Sequence, residues 1–151
     1  MKKTLFTILL CGFMVLGLTG CGKSKNGLDI GNKSDIKISQ NDVTMTIKDG
    51  TLTNKSATLV LANNSNKNFQ YGNPYEIEIK KDGEWHKINV KLNFDMPAFQ
   101  LSSKESIEIE LDWENGYGKL PKGTYRIIKG IDYEYEEGKY ETFNVAVEFT
   151  I

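Results

Sequence analysis

The sequence predicts an all-β protein: a single antiparallel β-sandwich of about seven strands. Three observations carry that reading. Apolar and polar residues alternate with period two through most of the chain from Asp35 onward. Turn-forming pairs such as Asp82-Gly83 and Glu137-Gly138 interrupt the alternation at short intervals. No stretch shows a helical period. Period-two alternation turns one face of each strand to a core and the other to water, as antiparallel sheets require. A small closed barrel is the other architecture this pattern allows.

The first element stands apart from the sandwich. Met1-Lys2-Lys3 is a short positive region, and Thr4 to Gly17 is an apolar run. That is the layout of a secretory signal peptide, too short for an ordinary membrane span of roughly 20 residues. The run ends in Leu18-Thr19-Gly20-Cys21. This tetrapeptide resembles the lipobox of bacterial lipoproteins, in which Leu18, Thr19 and Gly20 would be the signal-peptidase recognition residues. The resemblance implies removal of residues 1–20, a diacylglycerol thioether on Cys21, and acylation of its new amino group. It places the protein at the extracytoplasmic face of the cell membrane, held by the lipid on Cys21. Removal of 1–20 also removes Cys11, Lys2 and Lys3 and no acid, so the formal charge goes from −1 to −3. With Cys21 acylated, the mature chain has no thiol to pair, and its fold must stand on packing alone.

Residues 21–34 follow as a Gly, Ser, Asn and Lys-rich stretch in which only Leu28 and Ile30 are large apolar residues. This composition reads as a flexible tether, with a first strand hidden in the stretch as the alternative. The domain proper is expected at 35–151. Its strands are Val43–Ile47, Ala57–Ala62, Tyr75–Lys80, Trp85–Val90, Ile107–Asp112, Thr124–Lys129 and Phe143–Ile151. The Trp85–Val90 stretch changes phase, which suggests a bulge. Asp82-Gly83 has the chemistry of a type I′ hairpin turn, and Asp49-Gly50 offers the same. About 115 residues are enough to bury a core without cross-links.

Three stretches resemble a known family. They are Tyr71-Gly72-Asn73-Pro74-Tyr75-Glu76-Ile77-Glu78, then Lys81-Asp82-Gly83-Glu84-Trp85, then Leu120-Pro121-Lys122-Gly123-Thr124-Tyr125-Arg126-Ile127-Ile128-Lys129. They are similar to a bacterial Ig-like domain found in lipoproteins and surface proteins of Gram-positive bacteria and appended to sensor-type membrane peptidases. The resemblance spans about residues 43–151. It implies an Ig-like sandwich at the cell envelope and carries no catalytic or ligand residues. In the third stretch Pro121 and Gly123 make a tight turn, after which Tyr125 can bond back to the corner it has just left. Arg126 and Lys129 are expected as charges on the sheet surface.

Composition removes several function classes. Acids and bases are interleaved and the formal charge is −1, so there is no basic footprint for nucleic acid. The single histidine, His86, has no near-sequence partner for a zinc site and reads as an ordinary strand residue. The serines show no nucleophile elbow. No catalytic constellation, metal set or cofactor motif emerges, and the chain is not expected to be an enzyme.

Two stretches remain as candidate contact sites. Asp132 to Glu141 holds five carboxylates and three tyrosines around a hairpin, with Tyr133, Glu134, Tyr135 and Glu136 as candidate partner contacts. Tyrosine gives large contact area at low entropic cost. The hairpin has three readings: an edge kept soluble by its acids, a surface for an envelope protein, or a weak Ca²⁺ site. Trp113 and Tyr117, between glycines, could stack on cell-wall sugars or simply cap the core. The expected role is recognition or assembly at the envelope. A secreted-side protease inhibitor and a lipoprotein that binds glycan or a cation are the alternatives.

Overall fold

The computed structural model describes residues 27–39 and 42–151. The expected signal peptide, the lipobox residues Leu18, Thr19 and Gly20, and Cys21 all lie outside the described residues. Among those described there are ten strands, in two antiparallel sheets that face each other as a sandwich. The larger sheet runs β1 (Ile30–Lys33), β6 (Glu84–Ile88), β5 (Glu76–Lys81), β9 (Thr124–Glu136), β4 (Phe69–Tyr71) and β7 (Phe99–Leu101), with β10 (Lys139–Thr150) along the far side of β9. The smaller sheet is β2 (Val43–Ile47), β3 (Ser56–Asn63) and β8 (Ser106–Asp112). The β-sandwich reading holds, with two separate sheets and no closed barrel.

All seven predicted strands are present, with shifted ends. Three more are present: two that the sequence reading missed, and one that it held only as the alternative to a tether. β4 and β7 have three residues each, too short for alternation to register. β1 lies inside the stretch expected to be tether. Its position is explained by the two apolar residues there: Leu28 is buried, and Ile30 packs on the core opposite Ile88. The domain therefore begins by Leu28, ahead of the expected boundary at 35. The phase change near Trp85 appears on the β1 side, where the β1–β6 register slips between Ile30 and Lys33.

The core is built from alternate residues of the facing sheets. Val43, Met45, Leu59, Leu61 and Leu111 come from the smaller sheet. Ile77, Ile79, Tyr125, Ile127, Ile131, Val145 and Phe149 come from the larger one. Asp82 and Gly83 both take positive φ, 51° and 83°, which is the type I′ turn expected between β5 and β6. Asp49-Gly50 does not do the same: only Gly50 has positive φ, and the β2–β3 connection is longer.

After β1 the chain crosses the outer face of the larger sheet. The Ser34 amide donates to Trp85 O (2.8 Å) and the Ser39 amide to Asn144 O (2.9 Å). The segment between them straps β6, β5, β9 and β10 together before the chain passes to the smaller sheet.

Candidate functional site

The motif that carries the family resemblance is spent on architecture. Leu120 is buried. The Tyr125 hydroxyl donates to Pro121 O at 2.8 Å, the corner bond expected from the sequence. A Cβ on Gly123 would come within 3.2 Å of the Tyr125 ring, so glycine lets the turn close on the tyrosine. Burial pushes the Tyr125 phenol up to about 12.

Arg126 and Lys129 are not surface charges. Arg126 is 8% exposed and Lys129 1% exposed. The Arg126 guanidinium donates from Nε (2.8 Å) and Nη2 (2.6 Å) to Oε2 of Glu78, its cross-strand neighbour, which is fully buried. The Trp85 ring covers the guanidinium at 4.7 Å and the Ser34 hydroxyl accepts from it at 3.4 Å, so the strap roofs the pair. Lys129 Nζ donates to three carbonyls of the β4–β5 connection, Gly72 O (2.8 Å), Pro74 O (3.1 Å) and Asn73 O (3.5 Å). Burial pulls its ammonium down to about 8. The expectation of surface charge failed for two reasons. The strap covers the outer-face position of Arg126, whereas Lys129 shares the inner face with Tyr125, Ile127 and Ile131, where the 72–74 carbonyls receive its ammonium.

Trp113 and Tyr117 are also inside. Trp113 is fully buried against Phe149, and its indole N–H donates to Asn54 O at 3.1 Å. The Tyr117 hydroxyl accepts from the Ile77 amide at 2.9 Å, and burial pushes the phenol up to about 12. A short helix, Glu114–Tyr117, turns both rings inward. Neither can stack on a sugar, and the contact role considered for them is withdrawn. His86 is half-buried on β6, with Nδ1 3.3 Å from Gly31 O.

The Asp132–Glu141 stretch is different. Pairing between β4 and β9 stops at Gln70 opposite Asp132. Beyond it, Tyr133–Glu136 and Lys139–Thr142 pair only with one another among the described residues, so they form a two-stranded finger. Gly138 closes its turn with φ of 72°, and the Glu134 carboxylate caps the Gly138 amide at 2.7 Å. Tyr133 stands across from Glu141 and Tyr140 across from Glu134. Alternation therefore puts aromatics on both faces. Tyr135 is 57% and Tyr140 48% exposed.

The root of the finger is aromatic. Tyr133 packs on Phe69 and Phe69 on Phe143, both at 5.6 Å between ring centroids, and Lys67 Nζ lies 4.6 Å over Tyr133. Two open clefts flank this root. One, about 400 Å³, is lined by Asn68, Gln70, Gln100, Asp132 and Glu134. The other, about 610 Å³, is lined by Ser39, Asp42, Glu141 and Phe143. Tyr133, Phe69 and Lys67 line both clefts.

The finger thus brings together Tyr133, Glu134, Tyr135 and Glu136. Sequence reasoning missed Asp42, Lys67, Phe69 and Tyr140. The first three reach the site only through tertiary structure, and no local pattern marks them. The carboxylates do not converge as a calcium site needs. Asp132 accepts from Thr142 (2.5 Å), Glu136 pairs with Lys139 (2.8 Å), and Glu134 is the turn cap. Among the described residues no three acidic, histidine or cysteine side chains come together to hold a metal ion.

A sandwich with a buried corner tyrosine and one projecting hairpin defines an immunoglobulin-like module. The family model for the bacterial Ig-like domain matches residues 39–150, and the chain belongs to that family. That membership points to a surface or protein-interaction module. No curated protein matches the chain, and no solved structure does.

Proposed function

We infer that the protein is a non-catalytic lipoprotein, anchored by lipid on Cys21 at the extracytoplasmic face of the membrane, and that it docks an envelope protein through the β9–β10 finger. One observation carries the docking half. Tyr135 and Tyr140 are large aromatics left exposed on a paired, projecting hairpin, whereas the other five tyrosines are buried or half-buried. Rigid aromatic anchors with satisfied polar neighbours are what recognition surfaces use. The finger itself gives no support to the inhibitor alternative, because it is strand-paired up to its turn. Family membership agrees with the docking role.

The anchoring half rests on the sequence around Cys21. Growth with an alkyne fatty acid is expected to label the wild-type protein and leave Cys21→Ala unlabelled. Equal labelling of the two removes the anchor. For the docking half, a photocrosslinker at Tyr135 in intact cells should give a discrete adduct that the same group at Lys122 does not. Matching adducts from both sites remove the finger from the reading.

A further inference from the structure

The finger and the point where the chain comes into the sheet lie at the same end of the domain. β6 and β9 are both antiparallel to β5, so they run the same way. β1 is antiparallel to β6, with Ile30 opposite Ile88. Followed backward from Lys33 to Ile30, the chain therefore leaves the sheet in the direction in which β9 runs forward to the finger. The registers also set the level. Lys87 stands opposite Glu78 and Ile77 opposite Ile127, which puts Ile30 about level with Ile127.

From Ile127, β9 continues to Glu136, a further ~30 Å at about 3.3 Å per residue. Sheet twist of about 20–25° per strand, over the three steps from β1 to β9, leaves roughly 8–15 Å of that as projection along the exit direction. Cys21 precedes Leu28 by seven residues. That length of chain cannot span more than about 25 Å. An anchor at Cys21 therefore keeps the domain close to the bilayer with the finger on the membrane side. Gly123 and Ile151, which bond each other, are at the opposite end.

We propose that the finger faces the bilayer and docks on a basic juxtamembrane segment of an integral membrane protein. This rests on the anchoring and docking reading above and specifies its partner. Charge selects the occupant. Residues 132–141 carry five acids and one lysine, formally −4, so an anionic lipid surface repels the finger and a lysine- or arginine-rich segment attracts it. The outer edges of Tyr133–Glu136 and Lys139–Thr142 have no strand beside them among the described residues, so an extended segment can add to either edge by main-chain hydrogen bonds.

The test uses the lipidated protein in nanodiscs, with a fluorophore on Tyr135→Cys or on Lys122→Cys and a quencher on lipid headgroups. Strong quenching at position 135 and weak quenching at 122 is expected, and lengthening the chain with a Gly/Ser insert after Lys25 should relieve the first. Equal quenching, or stronger quenching at 122, overturns the placement. A photocrosslinker at 135 then reports on single-span peptides in the same neutral discs. A lysine-flanked peptide should crosslink several-fold more than a serine-flanked one. No preference overturns the partner assignment. So does stronger quenching at 135 in peptide-free anionic discs than in neutral ones, which would make the lipid itself the occupant. Loss of fatty-acid labelling at Cys21 defeats the underlying reading; normal labelling with an unquenched position 135 defeats only this inference.

Discussion

β9 is one strand with two unlike halves. From Thr124 to Ile131 it has neighbours on both sides, and its polar side chains are enclosed: Arg126 on Glu78, Lys129 on three carbonyls. From Tyr133 to Glu136 it has β10 alone beside it among the described residues, open clefts flank its root, and Glu134, Tyr135 and Glu136 are exposed. Both halves alternate and both carry charge. What separates them is cover. The strap and the 72–74 turn lie over the first half, whereas the second is covered only at its root, where Tyr133 packs on Phe69 under Lys67. The first half holds the sandwich together, and the second is free to meet another molecule.

The largest expected effect comes from breaking the covered half. Arg126→Leu leaves Glu78 buried without a counter-ion, with Oε1 already unpartnered in the native fold. Removing one member of a buried pair costs about 3–5 kcal/mol. The double variant Glu78→Leu/Arg126→Leu replaces the pair with apolar packing and should recover most of that loss. Urea unfolding of the single and double variants checks this. If the single variant shifts the midpoint no more than the double, the pair is not a unit of the fold.

Lys129 gives the next effect, through pH. Burial lowers its pKa from 10.5 to about 8. Between those values the unfolded chain still holds a proton that the folded protein has released. The unfolded state binds more protons there, so stability rises with pH across that window, by at most about 1.4 kcal/mol per unit. Tyr117 and Tyr125, both pushed up to about 12, act in the opposite sense above pH 10. They are present in wild type and in Lys129→Met alike, so they cancel in the difference. The gap between the two proteins, from urea midpoints at several pH values, should move in favour of wild type from pH 8 to 10. A flat gap means the three carbonyls hold the ammonium at its ordinary pKa.

The same contrast explains how much the sequence revealed. Alternation exposed the long strands, because each has one wet face and one dry face. The corner bond of Tyr125 was legible because the turn and the tyrosine are four residues apart. The burial of Arg126 was not, since its cover comes from Ser34, far away in the chain. Lys129 is in the inner-face phase of Tyr125 and Ile127, and only its partners in Gly72–Pro74 were out of view. Of the two readings of Trp113 and Tyr117, capping the core is the one that holds: Trp113 continues the Ile107, Ile109, Leu111 face, and the short helix brings Tyr117 in after it. The finger was visible as a composition, acids with tyrosines around Gly138. Its projection depends on where β4 stops pairing, which composition does not encode.

The smallest effect on stability should come from the open half, and it is the one that tests function. Tyr135→Ser and Glu137→Lys change exposed side chains on a hairpin that makes no pairing beyond itself. Surface changes of this kind stay within about 0.5 kcal/mol. Neither should move the urea midpoint measurably, in contrast to Arg126→Leu on the same strand. Both should lower crosslinking of lysine-flanked peptide: the first by removing an aromatic anchor, the second by reversing a charge that attracts it. Glu137→Lys should lose most at low salt, because added ions screen exposed charges and weaken the attraction in wild type as well. A finger variant that unfolds the domain would mean the finger belongs to the core after all. One that leaves both stability and crosslinking unchanged would mean the exposed tyrosine and acid are idle, and that docking lies elsewhere on the sandwich.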